Sequence, residues 1–267
     1  MLKQRLVTAI VLLVVALFAL FFATPLVWQA LVAVLAAIAA WEWSQFARIK
    51  RSLVKVGFVV ITLASLLLML VADLQAWLVG LAIMQLVIVI YSVTRFQLTG
   101  GQPLLQQPFI NLFVGLVFIV SFSMALVWMR DVYPVELLLL SMVMIWLVDT
   151  GAYFAGRRFG KHKLAVHVSP GKTWEGVVGG VMLAMIVACV IWFVAPIGYQ
   201  PGLVVFVLGL SLIAGLSVYG DLFESLMKRQ VGIKDSGKIL PGHGGVLDRI
   251  DSLLLALPLF WFFWSFA

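Results

Sequence analysis

The residues most able to do chemistry lie in two polar segments of an otherwise apolar sequence. The first segment runs from Asp149 to Gly176 and the second from Gly220 to Asp251. Together they contain seven of the chain's eleven carboxylates, all three histidines and ten of its eighteen basic residues. Because a simple connection between two helices needs only a handful of residues, both segments are candidate functional regions.

The acids of the second segment recur at helical spacing. Asp221, Ser225 and Lys228 stand at positions i, i+4 and i+7, so a helix that continues through them carries all three on one face. Asp248 and Asp251 are three residues apart at the predicted start of the last helix. The helix dipole alone favours carboxylates at such a start, which is the structural explanation for this second pair.

Acids that converge among cations also predict a site for a divalent metal and phosphate groups. Mg²⁺ prefers oxygen ligands and binds through few carboxylates together with substrate phosphates. Solvated loop charges explain the basic residues well but explain the spacing of the acids poorly. The neighbouring basic residues are Lys228, Arg229, Lys234, Lys238 and Arg249.

Two glycine-containing elements accompany these charges. PGHGG (Pro241–Gly245) supplies backbone that can approach a ligand closely, and its His243 either donates to a phosphate or caps the next helix. SPGKT (Ser169–Thr173) resembles a phosphate loop but has Val166 where a Walker A motif needs glycine, which leaves Lys172 as a candidate phosphate contact. The basic run GRRFGKHK of the first segment either binds anionic lipid headgroups or takes part in catalysis.

The composition predicts a membrane protein. Of the 267 residues 64% are hydrophobic and 11% are charged, whereas a soluble domain has about 45–50% apolar and about 25% charged residues. This excess of apolar residues excludes a soluble enzyme. Cys189 is the single cysteine, so no intramolecular disulfide can form, and the histidines lack zinc-ligand spacing.

The apolar runs predict an all-α, polytopic membrane protein with about nine transmembrane helices, since each crossing takes about 20 residues. The first run is longer than a signal-peptide core and no cleavage site follows it, so an uncleaved span is expected. Glu42 is interpreted as an interfacial carboxylate that pairs with Arg48 or water. The predicted spans are Leu6–Ala23, Leu26–Trp43, Val56–Ala72, Ala76–Val93, Phe109–Trp128, Val135–Val148, Val177–Ala195, Leu203–Gly220 and Ser252–Phe266.

The distribution of basic residues predicts the orientation of these spans. With the N-terminus inside and the C-terminus outside, 17 of the 18 basic residues fall on the cytoplasmic side and only Arg130 falls outside. The charge of +7 is therefore explained by topology and phosphate binding, and no nucleic-acid partner is expected. We treat the chain as one domain, with a mainly scaffolding region 1–134 and a catalytic region 135–267.

The second segment resembles the signature of the phosphatidate cytidylyltransferase family, whose members are also called CDP-diacylglycerol synthases. SPGKTWEG and DTGAYFAGRRFGK are similar to the family's upstream blocks, so the resemblance is strong over the C-terminal half. The N-terminal half agrees only in having several apolar helices. The matching signature positions are Ser225, Lys228, Arg229, Lys234, Asp235, Gly237, Pro241, His243, Gly244, Gly245, Asp248, Arg249 and Asp251.

The resemblance implies an enzyme that converts CTP and phosphatidate to CDP-diacylglycerol and pyrophosphate for phospholipid biosynthesis. It implies Mg²⁺, with a second cation left open, and it assigns Asp221 and Asp248 as metal ligands supported by Asp251. The expected catalytic residues are Asp221, Lys228, Arg229, His243, Asp248, Arg249 and Asp251. The expected substrate-binding residues are Ser225, Lys172, Thr173, Glu175, Lys234, Asp235, Gly244 and Gly245.

The expected location is the inner membrane, as a multi-pass protein whose active site lies at the cytoplasmic ends of the C-terminal helices. A homodimer is left open. Two other classes remain as alternatives. A CTP-dependent polyprenol or lipid kinase would share lipid, CTP and metal but would transfer the γ-phosphoryl group. A transporter is disfavoured because no acid is predicted in mid-span and no paired halves are visible.

Overall fold

The structure, a computed structural model, describes residues 2–194, 201–240, 242 and 244–266. It consists of helices and one small hairpin, whose antiparallel strands are β1 (Lys163–Ala165) and β2 (Ser169–Thr173). The helices are α1 (Leu2–Phe22), α2 (Pro25–Phe46), α3 (Ser52–Val71), α4 (Gln75–Leu98), α5 (Pro108–Val132), α6 (Val135–Phe159), α7 (Trp174–Val194), α8 (Leu203–Val231) and α9 (Leu247–Phe266).

The prediction of an all-α, polytopic membrane protein is confirmed. Within the described residues, eight helices are long and apolar enough to cross a membrane, and Leu13–Phe22 of α1 forms a shorter apolar stretch. The boundaries differ most at two helices, because α6 and α8 each continue eleven residues beyond the predicted spans. Asp149 therefore lies within α6, and Asp221, Ser225 and Lys228 lie within α8, as their spacing predicts.

The hairpin was not predicted. It occupies the first polar segment between α6 and α7 and pairs Lys163 with Thr173 and Ala165 with Ser169. The five residues SPGKT thus form a strand, which carries Lys172 beside α8. Lys172 Nζ donates to the carbonyl oxygen of Val218 over 3.3 Å.

Aromatic side chains join α2, α5 and α8 close to the second polar segment. The rings of Phe118 and Phe223 stack with centroids 5.1 Å apart, and Trp43 packs 5.7 Å from Phe118. The indole nitrogen of Trp43 donates to the backbone carbonyl of Asn111 over 3.0 Å. These buried contacts fix α2 and α8 at the positions next to Glu42 and Glu224.

Arg130, the exception to the predicted charge distribution, caps the end of α1. Its guanidinium donates to the carbonyl oxygens of Leu20 and Ala23 and lies 5.1 Å from the centroid of the Trp28 ring. Carbonyls at a helix C-terminus lack intrahelical donors, and an arginine satisfies them well. Helix capping therefore accounts for this residue.

Small residues bring α6 and α7 into close contact. A Cβ at Gly180 would overlap the carbonyl oxygen of Val148, and a Cβ at Gly176 would lie 2.8 Å from the carbonyl oxygen of Ala152. Close approach through small residues is a common way for helices to associate in membranes, where apolar burial gives little drive. The contact fixes the hairpin between α6 and α7, and with it Lys172.

Replacing Gly180 by leucine is expected to destabilise the fold by roughly 2 kcal/mol or more, since overpacking against backbone cannot be relieved by a rotamer change. Thermal unfolding of the purified protein in detergent measures this loss. Gly57→Leu is the matched control, because nothing lies within 4 Å of a Cβ at Gly57. Equal unfolding temperatures for the two variants would contradict the close α6–α7 contact.

Candidate active site

Lys228 lies between two buried carboxylates. Its Nζ forms ion pairs with Glu224, one turn earlier on α8, and with Asp248 Oδ1 at 2.7 Å. The exposed fractions of the three side chains are 14% for Lys228, 3% for Glu224 and 6% for Asp248. Buried charges of this kind are stable only when they are paired. Through these two ion pairs Lys228 joins α8 to the start of α9.

Asp248 also organises the loop between α8 and α9. Its Oδ2 accepts hydrogen bonds from the backbone N–H of Ser236 (2.8 Å), the Ser236 hydroxyl (3.0 Å) and the backbone N–H of Gly245 (2.8 Å). Gly244 has φ 85°, a left-handed conformation that favours glycine, and a Cβ there would lie 2.8 Å from Asp248 Oδ2. The glycines of PGHGG therefore let the backbone approach this carboxylate.

A second charge cluster centres on Lys172 of the hairpin. Its Nζ lies 2.7 Å from Asp221 Oδ2, and the Ser225 hydroxyl donates to Asp221 Oδ1 over 3.3 Å. The shared helix face predicted for Asp221 and Ser225 is thus confirmed. Asp149 interacts electrostatically with both Lys172 and Asp221, and Asp251 interacts with Asp221 and also with Lys228. Asp251 therefore lies close enough to both clusters for its charge to interact with each.

A cavity of about 590 Å³ opens beside the second cluster. It lies where α6 and the hairpin face α7 and α8, and both charged and apolar groups line it. A space of this size is typical of a small-molecule site. Its polar lining is Asp149, Tyr153, Arg157, Ser169, Lys172, Thr173 and Asp221.

The remaining predicted site residues lie outside these two clusters. Arg229, Lys234, Asp235 and Arg249 are exposed around the second segment. Each offers a charge to a ligand arriving from solvent. The prediction for His243 falls on a position outside the described residues.

Thr173 and Glu175 serve the start of α7. The Thr173 hydroxyl accepts from the backbone N–H of Gly176 over 3.2 Å, as a helix-capping residue does. Glu175 lies 2.6 Å from His162 Nδ1 and also accepts from the His162 backbone N–H over 3.1 Å. Both side chains therefore hold the hairpin and the helix start together.

Comparison with known proteins shows the family to which this chain belongs. A sequence model of the cytidylyltransferase family matches residues 3–267. The chain belongs to the cytidylyltransferase family. It is 38% identical over 297 aligned residues to the phosphatidate cytidylyltransferase of Haemophilus influenzae, an alignment that covers all of both chains. It is 37% identical to the phosphatidate cytidylyltransferase of Pseudomonas aeruginosa, with 97% of this chain and 96% of the relative covered.

A further relative within the family shares only part of the chain. The phosphatidate cytidylyltransferase of Bacillus subtilis is 44% identical over 137 residues, which is 49% of this chain and 48% of the relative. The resemblance predicted from the signature is confirmed by these matches.

The acids of the two charge clusters are the candidate ligands for the metal expected from the family. Among the described residues, no three His, Cys, Asp or Glu side chains form a ready metal-binding group. Asp248 is already occupied by Lys228, Ser236 and Gly245. Asp221, Asp149 and Asp251 interact with one another or with Lys172, which lies against Asp221. Carboxylate oxygens facing a cavity fit Mg²⁺ that also takes substrate phosphates as ligands.

The interpretation of Glu42 is wrong. Glu42 is 1% exposed and accepts hydrogen bonds from the backbone N–H of Leu247 (2.9 Å) and the Ser236 hydroxyl (3.3 Å). Arg48 instead donates to the backbone carbonyl of Gln230 over 2.7 Å. The aromatic contacts of α2 with α8 place the end of α2 against the second segment, which buries Glu42 inside the protein.

Sequence reasoning also left three site residues unassigned. Asp149 and Glu224 are acids of the two polar segments to which the sequence assigns no role, and nothing in the signature points to Ser236. The i, i+4 spacing of Glu224 and Lys228 could have indicated their ion pair. Nothing local in the sequence marks Ser236, whose partners lie on α2 and α9.

Proposed function

We propose that this protein transfers the cytidylyl group of CTP to phosphatidate, giving CDP-diacylglycerol and pyrophosphate. The family match over residues 3–267 carries the proposal, and full-length relatives named phosphatidate cytidylyltransferase support it. The cavity beside Lys172 and Asp221 supports it further, because it lies at the ends of membrane-spanning helices. A lipid headgroup and a soluble nucleotide can meet at such a position.

The reaction brings negative groups together. A phosphate oxygen of phosphatidate forms a bond to the α-phosphorus of CTP, the bond between the α-phosphorus and the bridging oxygen breaks, and pyrophosphate leaves with that electron pair. The lipid phosphate is largely ionised, so little general-base work is needed. Neutralising charge is therefore the main task, and we assign it to Lys172, Lys228, Arg229 and Arg249, together with the exposed Lys234.

We propose that Mg²⁺ is held by Asp221 and Asp251, with Asp149 lining the cavity beside Asp221 and Asp248 as the further ligand implied by the family. The metal, when bound, would withdraw electron density from the phosphates and offset their charge. Ser225 orients Asp221 through its hydrogen bond. The second cation and the homodimer stay predictions, as do the roles of Asp235, Gly244, Gly245 and His243 toward substrate.

We further propose that the site faces the cytoplasm of the inner membrane, with the N-terminus inside. The support is the predicted distribution of 17 basic residues on one side. CTP is then available from the cytoplasm while phosphatidate stays in the bilayer. The polar ends of α6, α8 and α9 would meet both substrates without moving charge through lipid.

Purified protein with Mg²⁺ and phosphatidate vesicles is expected to incorporate label from [α-³²P]CTP into lipid, and to release label from [γ-³²P]CTP as pyrophosphate. The α-phosphorus stays with the nucleotide that joins the lipid, whereas the γ-phosphorus leaves. Thin-layer chromatography separates the products. Label from the γ position in lipid would overturn the proposal in favour of a CTP-dependent lipid kinase, and vesicles lacking phosphatidate are the control.

A further inference from the structure

Three polar side chains at or just after the end of α2 contact the end of α8, the loop that follows it and the start of α9. Glu42 accepts from the Leu247 N–H and the Ser236 hydroxyl, as described above. Gln45 donates from Nε2 to the Ser236 carbonyl oxygen over 2.9 Å, and Arg48 donates to the Gln230 carbonyl oxygen. A region expected to act as scaffold therefore contacts the family's signature segment directly.

Glu42 is the most deeply placed of the three. A Cβ at Gly237 would overlap its carboxylate, and a Cβ at Gly245 would lie 2.7 Å from Oε2, so the loop backbone closes around it. Its Oε1 accepts no hydrogen bond from any described residue, and no ion pair joins it to the cations that the structure describes. Burial of an incompletely bonded carboxylate is costly, so packing alone does not account for glutamate here.

Two routes lead from Glu42 to Asp248. Leu247, whose N–H Glu42 accepts, is the first residue of α9 and directly precedes Asp248. A helix start has unpaired N–H groups, which a carboxylate from another helix satisfies. The second route is the Ser236 hydroxyl, which lies 3.3 Å from Glu42 Oε2 and 3.0 Å from Asp248 Oδ2.

We infer that Glu42 is a positioning residue for cytidylyl transfer, holding the first turn of α9 and Ser236 so that Asp248 and Lys228 keep their places. The inference rests on the proposed function. Glu42 itself contacts the loop between α8 and α9 and the start of α9. It acts on the reaction through Asp248. Its removal shifts the charged groups by a fraction of an ångström, which affects the transition state more than substrate binding.

The test compares Glu42→Leu and Glu42→Gln with the wild-type chain. Leucine removes both hydrogen bonds while filling the space, so kcat is expected to fall roughly 10- to 100-fold with KM for CTP changed less than about threefold. Glutamine keeps an acceptor for the Leu247 N–H and is expected to recover part of kcat. Gln29→Ala, on the same helix but bonded to Asp131 away from the loop, is the matched control and is expected to keep wild-type kcat.

A Glu42→Leu variant with kcat within twofold of wild type would overturn the inference. The inference would also be overturned if the loss of activity were no larger than the loss of folded protein, which thermal unfolding and size-exclusion chromatography measure. If leucine prevents folding, the same criteria apply to Glu42→Gln. A wild-type chain without cytidylyl transfer would instead overturn the proposed function.

A double-mutant cycle tests the route through Ser236. Because Glu42 and Asp248 share the Ser236 hydroxyl, Ser236→Ala combined with Glu42→Leu is expected to lower kcat by less than the product of the two single losses. Losses that multiply would overturn the route through Ser236. The wild type and both single variants are assayed under the same conditions.

Discussion

Replacing Lys228 by methionine is expected to abolish turnover and to destabilise the protein by about 3–5 kcal/mol. Methionine matches the length of the lysine stem but leaves Glu224 and Asp248 buried and unpaired, 3% and 6% exposed. The loss of activity has a second cause in the proposed function, since Lys228 would also neutralise phosphate charge. Thermal unfolding and the labelled-CTP assay measure the two effects separately.

The double variant Lys228→Met, Glu224→Gln separates these causes. It removes one of the two unpaired acids, so it is expected to regain part of the lost stability without regaining activity. Lys50→Met is the matched control, because Lys50 is exposed in the connection between α2 and α3. Turnover within tenfold of wild type in Lys228→Met would contradict a role for Lys228 in charge neutralisation.

The parts of the site that follow local patterns could be predicted from the sequence. Asp221, Ser225 and Lys228 share a helix face because 3.6 residues per turn bring i, i+4 and i+7 together. Asp248 and Asp251 lie at the start of α9 because carboxylates favour a helix N-terminus. Placing these residues on a helix face or at a helix start requires only the helix that carries them, and no knowledge of how the helices pack.

Tertiary contacts set the parts that could not be predicted. Glu42 and Leu247 are 205 residues apart in sequence and meet because Trp43, Phe118 and Phe223 pack α2 and α5 against α8. The predicted sixth span ends at Val148, where the apolar run ends, and so leaves Asp149 outside the helix. In the structure α6 continues for eleven more residues, to Phe159, and Asp149, Tyr153 and Arg157 of this extension line the cavity.

Asp221→Asn is expected to lower kcat roughly 10²- to 10³-fold while changing the free energy of unfolding by about 1 kcal/mol or less. Asparagine keeps the shape of the side chain but removes the charge opposite Lys172, and both side chains are partly exposed, at 32% and 23%. Stability therefore depends little on this pair. The proposed reaction depends on it strongly, because Asp221 is the expected metal ligand.

A comparison with Lys172→Met distinguishes the two roles open to Asp221. If Asp221 serves only to hold Lys172, both variants lose activity equally and need the same Mg²⁺ concentration for half-maximal rate. If Asp221 binds Mg²⁺, only Asp221→Asn raises that concentration, and we expect this second result. Asp73→Asn, between α3 and α4, is the control for removal of one carboxylate. An unchanged Mg²⁺ requirement in Asp221→Asn would remove Asp221 from the metal site.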